Sequence, residues 1–317
     1  MSNARVGVIG VGHLGYHHAR TYAALEHADL VGVVDIDGDR AAKAGEDFRV
    51  PGFTSCAELL KLGVDAVSVA VPTTLHHRLA MEALAAGVDV LVEKPIAATV
   101  AEARELVRQA ADRGRILQVG HIERFNGAVM ALVEKVQDPK FIECHRLSPY
   151  SSRGDDVSVV LDLMIHDLDI VLSLVRGEVV SLDAVGVPVF STSEDIANVR
   201  LRFPSGCVAN LTCSRVAPER MRKIRVFEMD AYLSINYTEQ EVLLYRKKPG
   251  PVPPGVSPMQ HITVESLPVR REEPLRLELE SFMTCVRQRS RPVVSGEDGL
   301  AALRLAQRII DSIRQPA

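Results

Sequence analysis

The sequence predicts an α/β chain in two parts. The first is a doubly wound parallel sheet; the second is an α+β domain with an open, mainly antiparallel sheet. Three observations carry this. Up to residue 120, short β-branched runs alternate with helical patterns, the grammar of strand-helix-strand units. Beyond residue 140, strand-like runs follow one another with turns between most of them. The length, 317 residues, suits about two domains. The boundary is expected near residues 119–125, which divides the chain into 1–120 and 121–317.

In the first part RVGVIG, LVGVVD, AVSVAV, VLVEK and ILQVG are near-continuous apolar runs, as strands buried on both faces require. YHHARTYAAL, DRAAKAGEDF, HHRLAMEALAAG and TVAEARELVRQAADRG lie between them and read as helices. The last opens with Thr99 and Glu102 at capping-box spacing, and Gly114 stands where it should stop. In the second part FIECHRL, VVSLDAVGV, ANVRLRF, CVANLTCS, KIRVFEM, YLSINY and EVLLYR read as strands, and FPSG at 203–206 as a hairpin turn. One helix, around VLDLMIHDLDIVLSLV, interrupts this series, and two more close the chain. The Pro-rich KKPGPVPPGVSP reads as an exposed loop before the strand-like HITVE. No internal repeat is visible.

Composition narrows the function classes. The chain is 47% hydrophobic and 25% charged with a formal net charge of -4, an ordinary globular balance. Without a long basic run, a nucleic-acid or membrane-surface role has no electrostatic support. The five cysteines are scattered and form no CxxC pair, so they read as reduced thiols, not as a metal or redox site. RVGVIG is too short for a signal peptide or a membrane span. The expectation is a cytoplasmic protein.

GVGHLG holds Gly10, Gly12, His13, Leu14 and Gly15, directly after a strand and opening a helix. Gly10 suits a tight turn, Gly12 lets a pyrophosphate approach the backbone, and Gly15 lets helix and strand pack closely. The free amides and dipole at that helix N-terminus favour phosphates. Asp35 ends the second strand 20 residues after Gly15, where it would accept hydrogen bonds from the adenosine ribose hydroxyls. A 2′-phosphate there would meet like-charge repulsion of about 1 to 4 kcal/mol. Arg40 could soften this, but it follows by more than a helical turn. The expected cofactor is therefore NAD; a glycine turn that binds nothing stays open as the bland alternative.

Two further features carry chemistry. EKP at 93–95 ends another parallel strand, where such sheets place their ligands. Lys94 there could polarise a substrate hydroxyl, or pair with Glu93 on a strand rim. Pro95 favours a cis peptide that aims Lys94 inward. In LDLMIHDLDIVLS, Asp162, His166, Asp169 and Ser173 recur at i, i+4, i+7 and i+11 as one polar stripe on an otherwise apolar helix. Such a helix is largely buried, so the stripe faces partners or a cleft. His166 has the chemistry of a base that removes a hydroxyl proton near neutral pH, with Asp162 or Asp169 orienting its ring. A satisfied buried His–Asp pair is the alternative. The helix offers too few ligands for a metal, and no matching cluster stands elsewhere.

These residues together resemble the Gfo/Idh/MocA family of sugar and polyol oxidoreductases. The likeness covers essentially the whole chain, and EKP with the Asp-x-x-x-His helix is more specific than the glycine motif. It implies an N-terminal Rossmann domain, NAD as cofactor, and Lys94, Asp162 and His166 as the catalytic group. It further implies a nicotinamide lying between the domains, against Val71, Pro72, Thr73 and His76 of the VPTTLHH loop and against Glu93 and Lys94. Members commonly form homodimers or homotetramers through the face of the open sheet.

GHIERFN at 120–126, with LDLMIHDLDIVLSL, resembles one branch of that family. Its members oxidise the sugar 3-hydroxyl of UDP-N-acetylglucosamine and feed a PLP-dependent aminotransferase, on the way to a 2,3-diamino sugar used in some lipid A. In this branch's image, Arg124 would pair with a phosphate or a carboxylate, while His121 and Glu123 would bond sugar hydroxyls. The plainer readings are a core Phe125, an Asn126 that caps the following helix, and an Arg124 in a domain-domain salt bridge. Gly127 stands where many relatives have Pro, which is expected to change how the chain begins that helix. Two competitors remain: a dehydrogenase of free sugars or inositols, and a non-catalytic NAD-binding regulator. The presence of both Lys94 and His166 speaks against the second.

Overall fold

A computed structural model describes residues 3–150, 157–237, 239–255 and 257–315. Val256, inside the Pro-rich stretch, lies outside the described residues. The chain divides into two compact units. The first runs up to Phe125 and regains Glu273–Leu303; the second holds Asn126–Glu272 and the chain from Arg304.

The first unit is built on β1 (Ala4–Ile9), α1 (His13–Ala24), β2 (Ala28–Val34), α2 (Gly38–Phe48), β3 (Gly52–Phe53) and α3 (Cys56–Leu60). It continues through β4 (Ala66–Val69), α4 (His76–Ala85), β5 (Asp89–Glu93), α5 (Val100–Asp112) and β6 (Leu117–Gly120). The six strands pair in the order β3-β2-β1-β4-β5-β6, all parallel. β4, β5 and β6 are buried along their whole length, as their unbroken apolar runs require. The order reverses at β1, so the ligand crevice of such a sheet opens at the carboxyl ends of β1 and β4. The Thr99–Glu102 capping box starts α5, and Gly114 takes a positive φ of 59° beyond its end.

The second unit begins with α6 (Gly127–Lys135), capped by the Asn126 side chain, which accepts from the Ala128 N–H. Gly127 is required there: a Cβ would sit 1.9 Å from the Arg270 carbonyl oxygen. β7 (Phe141–Leu147) follows, and later a wide π turn over Val160–Met164 runs into α7 (Ile165–Leu174). Then come β8 (Ser181–Val187), β9 (Ile196–Arg202), β10 (Val208–Ser214), β11 (Met221–Phe227), β12 (Ala231–Asn236), β13 (Glu241–Lys247) and β14 (Ile262–Ser266). They pair as β14-β13-β12-β11-β7-β10-β9-β8. All neighbours are antiparallel except β7 and β10. FPSG makes the β9–β10 turn, with the Gly206 N–H donating to the Phe203 carbonyl. One sheet face packs under α6 and α7 in a continuous apolar core.

One expectation fails. The chain after residue 121 does not all join the second domain, because α8 (Pro274–Gln288) belongs to the first unit. Leu275, Leu279, Phe282 and Met283 of α8 join Val6, Ala19 and Tyr22 in one core. A parallel sheet must be covered on both faces, and α8 supplies that cover. α9 (Gly296–Arg314) starts in the first unit and ends in the second. Among the described residues no helix is long and apolar enough to cross a membrane.

The second unit also buries charge. β7 alternates so that Ile142, Cys144 and Arg146 face inward, and Arg146 pairs with Asp167 of α7 through two bonds of 2.9 Å, Nε to Oδ2 and Nη2 to Oδ1. Both side chains are 3–4% exposed, and the guanidinium also lies over the Tyr237 ring. Removing one partner strands a buried charge, while replacing both with apolar groups does not. Arg146→Met should therefore cost about 3–5 kcal/mol in urea unfolding, with most of it recovered in Arg146→Met/Asp167→Leu. A single-variant loss under about 1 kcal/mol would show that the pair behaves like a solvated one.

Candidate active site

The glycine loop joins β1 to α1. Gly10 has φ +87°, and its N–H donates to the Val34 carbonyl at 2.7 Å. Gly15 is tighter still: a Cβ there would lie 1.7 Å from the Gly10 oxygen. Around Gly12 the space is open, the nearest atom to an added Cβ being Arg40 Nη1 at 4.0 Å. Gly12 offers no side-chain cap to α1, so the first-turn amides are left for an anion. His13 is exposed and Leu14 half-buried at that end. A loop shaped to bring backbone amides to a pyrophosphate fits NAD.

Asp35, expected at the adenosine ribose, lies against this loop. Its Oδ2 accepts from the Val11 N–H at 2.9 Å and its Oδ1 from the Asp37 N–H at 3.0 Å. Arg40 reaches it after all, because α2 turns the side chain back: Nη1 is 3.4 Å from Asp35 Oδ2 and Nη2 is 3.1 Å from Asp37 Oδ2. The Arg40 N–H and guanidinium hold the Asp37 carboxyl below its ordinary value. One cation thus faces two carboxylates, which leaves no spare positive charge for a 2′-phosphate.

Past β4, Val71 is half-buried, Pro72 exposed and Thr73 half-buried, leading through a 3₁₀ turn into α4. His76, expected against the cofactor, is buried instead, and both its nitrogens lie on backbone carbonyls. Nδ1 is 2.8 Å from Pro95 O and Nε2 is 2.9 Å from Val71 O. Burial pushes this ring below its ordinary pKa, and the two carbonyls oppose the push only in part.

Glu93 is also turned inward. Its Oε1 is 3.1 Å from His18 Nε2, and its Oε2 accepts the Lys94 N–H at 3.2 Å. Gly120 leaves it room, since a Cβ at that position would come within 2.8 Å of the carboxylate. Burial raises the Glu93 carboxyl, but the His18 hydrogen bond and the Lys94 charge outweigh it and hold the pKa below the usual value. Lys94 is half-buried, and its peptide bond to Pro95 is cis.

After β6, residues 122–125 form a 3₁₀ turn. Glu123 and Arg124 are half-buried, Phe125 is core, and His121 is only 1% exposed. In the second unit Asp162 and His166 are half-buried, while Asp169 is 2% exposed. Of the polar stripe, Asp162 sits on the π turn ahead of α7, and Asp169 alone is enclosed. Such turns recur at functional sites. Ser173 does not project; its hydroxyl donates to Ile170 O at 2.7 Å.

The segment leading into this turn is held by a hub that sequence reasoning missed. Asp195 accepts from the Val189, Phe190 and Ser191 N–H groups and from Arg215 Nε, and Arg215 Nη1 donates to Val157 O at 2.8 Å. Burial raises Asp195, but those donors hold it far below the ordinary carboxylate range. Arg146–Asp167 and His18–Glu93 were missed as well. The available signal was a charged residue in the apolar phase of a strand or helix, which marks burial without naming the partner.

Comparison with known proteins agrees with this architecture. The GFO_IDH_MocA description, an oxidoreductase family with an NAD-binding Rossmann fold, matches residues 4–121, and its C-terminal domain matches residues 105–234. The chain is 38% identical to the UDP-N-acetylglucosamine 3-dehydrogenase of Acidithiobacillus ferrooxidans, covering 96% of this chain and 95% of that protein. A solved structure of that enzyme superposes with a TM-score of 0.91 at 36% identity, over 99% of this chain and 98% of the other. A Bacillus subtilis scyllo-inositol 2-dehydrogenase (NAD(+)) is 25% identical, over 98% of this chain and 94% of that protein.

The cofactor end can be tested by binding alone. Gly15→Ala must move the loop, so NAD affinity measured calorimetrically should fall at least about tenfold, about 1.4 kcal/mol. Asp35→Ala should weaken NAD more than NADP and narrow the gap between them. Equal or tighter NADP binding by the unaltered protein would contradict this account of Asp35.

Proposed function

From its membership of the GFO/IDH/MocA family of oxidoreductases, to which the chain belongs, we propose that this protein oxidises UDP-N-acetylglucosamine at the sugar 3-hydroxyl. The product is the 3-keto sugar nucleotide. The observation that carries this is the 38% identity along 96% of the chain with an enzyme named for that reaction, against 25% for an inositol dehydrogenase. The first unit binds the cofactor; the second carries substrate chemistry and assembly.

NAD, when bound, supplies the acceptor for the hydride that leaves C3. The rest falls to side chains. Lys94 orients and polarises the reacting oxygen, and His166 takes the hydroxyl proton as general base, with Asp162 orienting its ring. The half-buried Glu123 bonds the sugar, and Arg124 offers charge to the diphosphate. His121, at 1% exposure, offers no surface to a ligand. A PLP-dependent aminotransferase would consume the ketone, on a route to a 2,3-diamino sugar of lipid A.

The second unit also supports a homodimer or homotetramer. Phe141, Phe227, Tyr232 and Tyr245 stand in register across β7, β11, β12 and β13, ring to ring at 4.6–5.7 Å. Sedimentation should find an assembly that Tyr232→Asp weakens; an assembly indifferent to that change would overturn this use of the sheet.

Ketone formation with NAD is uphill near neutral pH, so the test must drain the product. With a PLP-dependent sugar aminotransferase and glutamate, mass spectrometry and NMR should find the 3-amino sugar nucleotide. Its absence, with free inositol or glucose oxidised efficiently, would give the place to the free-sugar reading. In the same assay Lys94→Met and His166→Asn should each lower turnover by about 10²- to 10⁴-fold with NAD affinity nearly kept. A His166→Asn enzyme above about a third of the original turnover would make that histidine structural.

A further inference from the structure

Lys94 stands between two residues that are each gripped by a buried histidine. On one side Glu93 takes His18 Nε2 at 3.1 Å; on the other the Pro95 carbonyl takes His76 Nδ1 at 2.8 Å. An ionised carboxylate and a carbonyl only accept, so the contacting ring nitrogen must carry the hydrogen in each bond. Both rings are almost fully buried, at 0% and 1% exposure. Neither has a surface from which to reach a ligand, so neither serves as a catalytic residue.

The origin of the two histidines matters. His18 lies on α1, the helix opened by the glycine loop, and His76 opens α4, directly after the Val71–Thr73 segment. His76 Nε2 also lies 2.9 Å from Val71 O, but a ring held below its ordinary pKa carries a single N–H, and the contact beside Lys94 uses the tautomer that gives it to Pro95. We propose that His18 and His76 are positioning residues, a two-sided brace that sets Lys94 at a fixed place relative to both cofactor-facing loops. The proposal rests on the reading of Lys94 as catalytic. Its physical basis is that misplacing a reacting group by about 1 Å can cost about 10²-fold in rate.

The brace acts through one particular nitrogen of each ring, and that gives a test that loss of folding cannot imitate. An asparagine amide nitrogen occupies roughly the place of Nδ1, and a glutamine amide nitrogen roughly that of Nε2. His18→Gln therefore keeps the donor to Glu93, while His18→Asn loses it. At position 76 the order reverses: His76→Asn keeps the donor to Pro95, and His76→Gln loses it, its amide nitrogen lying toward Val71 instead.

The four variants and Lys94→Met would be compared in the aminotransferase-coupled assay with the dehydrogenase limiting. Amide hydrogen exchange across residues 93–96 of the NAD-free protein would be followed by mass spectrometry. The expected result is a crossover. His18→Asn turns over about 10- to 100-fold more slowly than His18→Gln, and His76→Gln more slowly than His76→Asn by a similar factor. Exchange should quicken in the same two slow variants. The same order at both positions, or exchange blind to which nitrogen is kept, would overturn the brace. Unreduced turnover in Lys94→Met would overturn the reading beneath it. A slow Lys94→Met without the crossover would overturn the brace alone.

Discussion

The carboxylate of Glu93 is buried at the carboxyl end of β5, in contact with His18 from α1 and with the Lys94 amide, in space that Gly120 leaves clear. Burial of a charge is costly unless it is paired and hydrogen-bonded, so this group admits few arrangements of its neighbours. α1 must lie where His18 can reach, β6 must present a residue without a side chain, and Lys94 must follow with its N–H inward. Because α1 is also the helix opened by the glycine loop, one ion ties that loop to Lys94. Its pKa is held below the usual value, so its contribution to stability is complete above the ordinary carboxylate range and is lost as pH falls through the lowered pKa.

The second unit solves a related problem in another way. α7 is so apolar that it must be buried, yet it carries His166, Asp167 and Asp169, with Asp162 on the turn before it. Asp167 is spent on Arg146, which pins the helix to the middle of the sheet. The π turn alters the angular spacing just before α7; Asp162 and His166 are half-buried, while Asp169 is enclosed. Asp195 and Arg215 hold the backbone that feeds this turn. The polar groups left half-buried are thus those whose chemistry suits proton transfer.

Much of this was legible beforehand because it depends on local rules. Apolar strand runs, the glycine spacing, the Thr99–Glu102 box and the Asn126 cap all act within a few residues, and each stands where the sequence places it. What was not legible depends on partners far away in the chain. α8 shows an amphipathic face, but nothing in it says which sheet it covers, and it returns to the first unit. His76 sits in a loop expected against the cofactor, and only the fold reveals that its ring is buried between the Val71 and Pro95 carbonyls. Arg40 was set aside on helical spacing, yet the capped start of α2 brings it to Asp35. The stripe assumed one helical period throughout, and the π turn that holds Asp162 left no mark in it.

The central claim is that Glu93 is an ion in the folded protein, held by His18 and Lys94. It can be measured directly by ¹³C NMR of the NAD-free protein labelled at glutamate side-chain carboxyls, with Glu93→Gln identifying the resonance. The account predicts a carboxylate that stays ionised down through pH 4.5, the ordinary glutamate value, and titrates only below it. A midpoint above 4.5, or a protonated acid at neutral pH, would mean that burial wins over the pairing, and the constraint described here would not exist.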